Sequence, residues 1–218
     1  MNPLYILPFD HRHTFIKSLF GDVQTLTPEQ FQKIKHVKQL IYQGFKKAIE
    51  LGVPKEFAAI LVDDEFGDEI LLDAKENGFI TCLTIEKSGQ NEFAFQHDDF
   101  ATYINKYKPT YAKVLVRYNP DGDLKSNLRQ QKTLKVLSDF CKTNRYKFLF
   151  ELLVPATSEQ INLYGQTYDD FARPGLTAKA IKQFRDAGVE PHVWKLEGMN
   201  NESDYARVVE AAQSSGRS

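Results

Sequence analysis

The amino-acid sequence predicts an α/β fold of the TIM (β/α)8-barrel type, with six of the eight strand–helix units present. Short apolar runs recur along the chain, and most of them are followed by a helical pattern. Strict alternation of strands and helices favours a parallel sheet. The predicted strands cover residues 4–10, 57–63, 79–86, 111–118, 148–154 and 192–197.

The predicted helices follow from capping residues and apolar spacing. Thr27-Pro28-Glu29-Gln30 is a capping box with proline at the first helical position, and Gly52 lies just beyond the end of the same apolar pattern. Further helices are predicted over residues 71–77, 98–106, 126–143, 177–187 and 203–212. Residues 155–175 show no clear periodicity, so we expect a long loop there, either a lid or a surface insertion.

A barrel fits the first strand–helix connection better than a doubly wound sheet does. The residues after the first strand are Phe9-Asp10-His11-Arg12-His13 rather than a glycine-rich nucleotide turn. A complete barrel typically has about 250 residues, whereas residues 1–218, which we predict to form a single domain, contain six units. Two alternatives remain open: a fragment or early-terminated barrel that lacks the last two strands, or an open sheet whose edges are covered in another way.

Composition and charge exclude several classes of protein. The chain is 42% hydrophobic and 26% charged, which is typical of a globular domain, and its net charge of −1 argues against a nucleic-acid-binding protein. No signal-like segment or membrane-length apolar run is found, which predicts a cytoplasmic protein without a membrane partner. Cys82 and Cys141 are predicted to be reduced core thiols, and no metal or other cofactor is predicted.

Polar and charged residues gather where the predicted strands end. In α/β folds this edge of the sheet carries the active site. The residues concerned are Asp10, Asp63, Glu65, Glu86, Lys87, Arg117, Glu151, Lys195 and Glu197.

The last predicted strand carries Lys195 and Glu197 on one face. A buried ammonium is costly, and a desolvated lysine near a second cation loses its proton more easily and can form a Schiff base with a carbonyl. Lys113 and Glu151 stand at matching depth on the two preceding strands. The hypothesis is that Lys195 is the nucleophile, Lys113 the supporting cation and Glu151 the proton shuttle. The alternative is a buried ion-pair network that ties the strands together.

Six ordered motifs carry a resemblance to a known family. The chain resembles the class I aldolases related to tagatose 1,6-bisphosphate aldolase, and more closely the aldolase-like domain fused to 5-dehydro-2-deoxygluconokinase in bacterial inositol catabolism. The motifs are PFDHR at 8–12, DDEFG at 63–67, IEKSG at 85–89, AKVLVRY at 112–118, FLFEL at 148–152 and VWKLE at 193–197.

The resemblance implies a lyase that cleaves a carbon–carbon bond of a ketose phosphate by retro-aldol chemistry in carbohydrate catabolism. It implies Lys195 as the Schiff-base lysine, Glu151 as the acid/base carboxylate and Lys113 as the supporting lysine, with Asp10 and the adjacent His11 and Arg12 lining the pocket floor. The expected partners are a small sugar phosphate and either a second copy of the chain or an associated sugar kinase. Barrels of this family bind much of the sugar phosphate through strands seven and eight, so the activity of the 218-residue chain alone stays open.

Arginines supply the remaining candidate substrate contacts. Arg12 and Arg117 are candidates for phosphate or carboxylate contacts, and the alternative is that they form salt bridges with residues such as Asp10 or Asp63. The other predicted substrate-binding residues are Asp63, Glu65, Lys87 and Glu197.

Two other functions are alternatives to the Schiff-base aldolase. A metal-dependent aldolase would need ligands such as His11 and His13, but two histidines without an evident third ligand are a weak signal. The rival from another class is a non-catalytic barrel that binds a sugar phosphate, or a truncated relic of such an enzyme.

Overall fold

A computed structural model describes residues 3–213. Within this range, six β-strands alternate with α-helices, as the sequence predicts. The strands are β1 (Tyr5–Pro8), β2 (Ala58–Val62), β3 (Ile80–Thr84), β4 (Tyr111–Arg117), β5 (Lys147–Leu153) and β6 (Val193–Leu196). The helices are α1 (His13–Phe20), α2 (Pro28–Glu50), α3 (Asp64–Glu76), α4 (Phe100–Tyr107), α5 (Leu124–Asn144), α6 (Ser158–Tyr164), α7 (Tyr168–Phe171), α8 (Arg173–Asp186) and α9 (Glu202–Gln213), with 3-10 turns at Lys55–Phe57 and Gly165–Thr167.

The six strands are parallel, and each is hydrogen-bonded to its neighbour in sequence order. The predicted α/β class and all six predicted strands are therefore confirmed, with boundaries that differ by up to two residues. Register is set pair by pair: Leu7 lies opposite Ile60, and Glu151 lies opposite Lys195. Because parallel strands bring their carboxyl ends to one edge, this register decides which polar side chains can meet.

The chain divides into two compact units. The first unit runs through Gly89 and resumes at Phe95–Lys113, so it holds β1 to β3 and the first part of β4. The second unit comprises Gln90–Ala94 and the chain from Val114 onward, so it holds the rest of β4 with β5 and β6.

The core of the first unit includes β2 and one face of the long helix α2. All five residues of β2 are buried, as expected for a strand covered on both faces. Helix α2 begins at the predicted capping box, in which Thr27 and Gln30 each accept a hydrogen bond from the other's backbone N–H. Tyr42 and Phe45 from α2 are buried, and each ring packs edge-on against Phe79.

The core of the second unit is built on aromatic rings from alternate positions of β5. Phe148 and Phe150 are fully buried, and Phe150 contacts Phe184 from α8 with ring centroids 4.8 Å apart. Leu134 and Leu137 of α5 are fully buried as well. The alternation along β5 leaves Glu151 on the other face, next to the strand that carries Lys195.

The predicted loop at residues 155–175 was wrong, because these residues are mostly helical. Helix α6 begins at a second capping box, formed by Thr157 and Gln160, and α8 already begins at Arg173. The apolar residues Ile161 and Phe171 are exposed, so the stretch lacks the buried apolar stripe that reveals a helix in a sequence.

Two further helices differ from the prediction. Helix α3 begins at Asp64 rather than at residue 71, because the Asp63 carboxylate accepts a hydrogen bond from the Phe66 N–H at 2.9 Å and caps the helix. Gly67 inside this helix departs from helical geometry and interrupts the periodic pattern. Helix α1 was not predicted, and none of its residues is buried.

No helix among residues 3–213 combines the length and the apolar character that are needed to cross a membrane.

Candidate functional site

Lys195 and Glu151 form the central contact of the second unit's candidate site. They are register partners on the parallel strands β6 and β5, and the Lys195 ammonium donates a hydrogen bond to Glu151 Oε1. The Lys195 side chain is 40% exposed, whereas Glu151 is 12% exposed. Phe150 and Trp194 occupy neighbouring register positions and pack with ring centroids 4.9 Å apart.

The exposure of Lys195 corrects one premise of the sequence argument. Strand β6 is half-buried at every position, so Lys195 is not a fully desolvated lysine. A parallel strand with a single hydrogen-bonded neighbour among the described residues leaves part of its surface open. Lys195 is therefore accessible to a small molecule while it contacts a carboxylate.

Tyr168 and Arg173 hold the carboxyl ends of β5 and β6, and the sequence analysis missed both residues. Both backbone groups of Val154 bond to side chains. Its N–H donates to Glu197 Oε2 at 3.0 Å, and its carbonyl accepts from the Tyr168 hydroxyl at 2.8 Å. Arg173 donates through Nη2 to the Gly198 carbonyl at 2.9 Å. The stretch predicted as a loop or lid thus holds the strand ends that flank Lys195.

Burial and nearby charge keep the Tyr168 hydroxyl protonated as a hydrogen-bond donor. Burial and then the charge of Glu197 raise the pKa of Tyr168 to about 12. Arg173 is 8% exposed and pairs through Nε with Asp169 at 2.9 Å, and its Nη1 atom is buried without a hydrogen-bond partner. The sequence does contain one signal for Arg173. Asp169 and Arg173 stand four residues apart, which is the spacing of a helical ion pair.

Lys113 lies in the first unit, in a buried cluster of charges. Its ammonium donates to Asp10 Oδ2 and to Glu86 Oε1, both at 2.8 Å, and its side chain is 1% exposed. Arg12 donates through Nη2 to the Glu86 carbonyl at 2.8 Å and lies 3.8 Å from the Glu86 carboxylate. Two predicted substrate contacts, Asp10 and Arg12, therefore belong to this network.

The two carboxylates of this cluster respond differently to burial. Burial raises the pKa of Glu86 above its usual value despite the neighbouring cations. Burial acts in the same direction on Asp10, but the charge and the hydrogen bond of Lys113 outweigh it and lower the pKa of Asp10. The Glu86 Oε2 and Arg12 Nε atoms are buried without hydrogen-bond partners.

The first unit contains a second buried lysine that the sequence analysis did not single out. The Lys38 ammonium on α2 contacts Asp63 Oδ2, and both side chains are almost fully buried. Burial lowers the pKa of Lys38 in spite of the charge of Asp63. Helix α2 carries many charged residues, and a lysine on such a helix is normally expected to face solvent. The sequence pattern therefore does not reveal that Lys38 is buried.

The remaining predicted site residues lie in various surroundings. His11, Glu65 and Lys87 are exposed. Arg117, at the end of β4, donates to the Gln90 carbonyl at 3.0 Å within the second unit. Asp63 serves as the cap of α3 as well as the partner of Lys38.

A search of residues 3–213 found no group of three or more histidine, cysteine, aspartate or glutamate side chains placed to hold a metal ion. His13 is the first residue of α1, and both His11 and His13 are exposed.

Comparisons with known proteins place the chain in a family. No curated protein matches it. Among solved structures, Cgl0159 from Corynebacterium glutamicum is similar with a TM-score of 0.50 and 12% sequence identity, over 97% of this chain and 74% of that chain, which shows a shared fold. Residues 1–216 match a bacterial family that is described as uncharacterized, and the chain belongs to this family, DUF2090.

Proposed function

We propose that this chain is a Schiff-base aldolase that cleaves a carbon–carbon bond of a ketose or keto-sugar-acid phosphate. The observation that carries the proposal is the contact between Lys195 and Glu151 on adjacent strands. A primary amine with a carboxylate in hydrogen-bond contact is what imine formation and proton transfer require.

Exposure supports Lys195 as the nucleophile. Lys38 and Lys113 are each 1% exposed and bound to carboxylates, whereas Lys195 is 40% exposed. A nucleophile must contact its substrate, so the half-exposed lysine suits this role. Lys113 belongs to the first unit, and its two carboxylate contacts suit a fixed positive charge rather than a nucleophile.

The proposed reaction is balanced by these groups and by water. Glu151 takes a proton from the Lys195 ammonium, and the neutral amine adds to the substrate ketone. Glu151 returns this proton as the former ketone oxygen leaves as water, which gives a protonated imine. Glu151 removes the proton of the hydroxyl beyond the scissile bond, the carbon–carbon bond breaks, and its electrons move into the imine to form an enamine as the aldehyde leaves. Protonation of the enamine carbon and hydrolysis of the imine release the ketone product and restore the amine.

The resemblance also supports a metabolic setting and a choice of substrates. Ketose phosphates and keto-deoxy-sugar-acid phosphates each present a ketone and an anionic end, and we propose carbohydrate catabolism, with inositol breakdown as the specific route, in the cytoplasm. Arg117, which lies in the second unit with Lys195 and Glu151, is the proposed contact for the anionic group.

Borohydride trapping tests the proposal directly. The full chain is incubated with dihydroxyacetone phosphate, the ketone fragment expected from such a cleavage, and is then reduced and analysed by peptide mass spectrometry. We expect one covalent adduct, on Lys195. Lys195→Met should abolish it, and Lys179→Met is a matched control because Lys179 is another partly exposed lysine of the second unit that pairs with a carboxylate, Asp121.

A second variant separates imine formation from proton transfer. Glu151→Gln should retain trapping but lower the rate of carbon–carbon cleavage by about 10²- to 10⁴-fold, which is the usual contribution of a positioned acid–base group. An adduct on another lysine would contradict the proposed role of Lys195. Saturable binding of sugar phosphates without any trapping would instead favour the non-catalytic alternative.

A further inference from the structure

A cavity of about 320 Å³ lies in the second unit at the amino-terminal ends of β5 and β6. Its lining includes Lys147, the first residue of β5, and His192, which directly precedes β6. Glu151 stands four residues beyond Lys147, about 13 Å along the strand, so the cavity is at the opposite end of these strands from the aldolase site. Ligand pockets measure about 300 to 1,000 Å³, and this volume suits a small metabolite.

The charges around the cavity favour an anion. Lys142, Arg145 and Lys147 line it together with a single acidic residue, Glu190. Lys142 is 3.6 Å from the Glu190 carboxylate, and both side chains are largely exposed to solvent. Three basic side chains against one acidic side chain leave an excess of positive charge, which matches a phosphate group better than a neutral ligand.

Arg145 occupies a backbone conformation that a long side chain rarely adopts. It lies just beyond α5 with φ 61° and ψ 28°, in the left-handed region where glycine or asparagine ends a helix with less strain. The chain places a guanidinium there, at the edge of the cavity. Strained backbone of this kind clusters at ligand sites, so an observed outlier is a reason to look for function.

The His192 ring has a defined tautomer. Its Nδ1 atom accepts a hydrogen bond from the Phe148 N–H at 3.1 Å, so the ring proton of the neutral imidazole is on Nε2. Cys141 also lines the cavity, but it is 1% exposed and burial raises the pKa of its thiol to about 12. The chemistry of the cavity is therefore binding through hydrogen-bond donors rather than attack by a thiolate.

We infer that this cavity is a second ligand site, which binds the phosphate group of a small phosphorylated metabolite through Arg145, Lys142 and Lys147. The guanidinium is suited to two parallel hydrogen bonds with phosphate oxygens, and the lysines add charge. This site is independent of the proposed aldolase chemistry, because it needs neither Lys195 nor Glu151.

The test is calorimetric titration of the full chain with inorganic pyrophosphate. We expect saturable binding with one site per chain at about 0.15 M salt, where exposed charges are already screened. In Arg145→Gly the dissociation constant should rise by about tenfold or more, because charge-assisted hydrogen bonds to the ligand are lost. The melting temperature of this variant should stay equal or increase, because glycine relieves the left-handed strain.

Lys108→Gly is the matched control. Lys108 is also a basic residue that ends a helix in the left-handed region, with φ 47° and ψ 55°, but it does not line the cavity. Its variant loses the same charge and gains the same backbone relief, so its pyrophosphate affinity should equal that of the unmodified chain. The inference is overturned if the unmodified chain shows no saturable binding, if Arg145→Gly binds as tightly as the unmodified chain, or if Lys108→Gly weakens binding equally.

Discussion

At the residue scale, three of the lysines that contact carboxylates show how exposure separates one such pair from two others. Lys38 and Lys113 are each 1% exposed, and Lys195 is 40% exposed. A fully buried charge is tolerated only with a partner, so removing one member of such a pair leaves an uncompensated charge in the interior. The same kind of ion pair therefore cannot lose a partner without cost in the buried places, and in our proposal it serves chemistry in the exposed one.

The Asp10 carboxylate should contribute a pH-dependent part of the stability. Its pKa is lowered in the folded chain, so its contribution is complete above the unfolded-state value of about 4 and is lost as the pH falls through the folded-state value. We expect Asp10→Asn to lower the free energy of unfolding by about 2 kcal/mol at pH 7, as a charge-assisted hydrogen bond to Lys113 is weakened. Urea unfolding across pH 3 to 8, followed by circular dichroism, measures this difference.

The expected signature is a difference between Asp10→Asn and the unmodified chain that shrinks below about pH 4. Glu86, whose pKa is raised, acts with the opposite sign but is present in both proteins. Asp22→Asn is a suitable control, because Asp22 pairs with Lys17 on the surface and should matter little. A difference that stays constant from pH 3 to 8 would show that Asp10 does not act through its charge.

At the scale of single elements, local capping signals outweigh apolar periodicity in this chain. Thr157 and Gln160 start α6 although the helix has no buried residue. Asp63 starts α3 and simultaneously binds Lys38. Such side chains satisfy backbone N–H groups that would otherwise lack partners, so a helix can begin where the apolar pattern predicts none.

At Gly67 the backbone of α3 lies very close to the Val62 side chain of β2. A Cβ atom at this position would overlap Cγ2 of Val62, a side chain that is completely buried. We expect Gly67→Ala to lower the free energy of unfolding by about 1 to 3 kcal/mol through overpacking. Denaturant unfolding measures this cost.

Two companion variants identify the cause. Gly44→Ala should instead stabilise the chain by up to about 1 kcal/mol, since Gly44 lies within α2 and nothing would contact the added Cβ. Val62→Ala combined with Gly67→Ala should cost about 1 kcal/mol less than the sum of the single changes, because the overlap is gone. Strictly additive costs would mean that Val62 is not the obstacle.

At the scale of the whole molecule, each of the two units contains one buried cysteine, so the opening of each unit can be followed through the reactivity of its own thiol. Cys82 lies in the first unit and Cys141 in the second, and both are buried with thiol pKa values raised to about 12. A thiol reagent reacts with the thiolate, so labelling requires the chain to open.

We expect both thiols to react at least about 1,000-fold more slowly in the native chain than in the unfolded chain, given ordinary domain stability. Mass spectrometry of time-resolved labelling assigns a rate to each cysteine. Equal rates would mean that the two units open together, and unequal rates would give the opening free energy of each. Rapid labelling of either thiol under native conditions would contradict the buried placement.

The α/β class, the six parallel strands and the strand-end positions of the charged residues could all be predicted from the sequence, because alternation and burial leave periodic patterns in a chain. The sequence also placed Glu151 and Lys195 at matching depth on adjacent strands, and they are register partners. Only the folded chain shows that Lys38 is buried and that Tyr168 and Arg173 hold the ends of β5 and β6. These outcomes depend on strand register and on packing between residues far apart in the chain. Local patterns carry no information about such distances, which is why the sequence could single out Lys195 but could not show that its side chain is partly exposed.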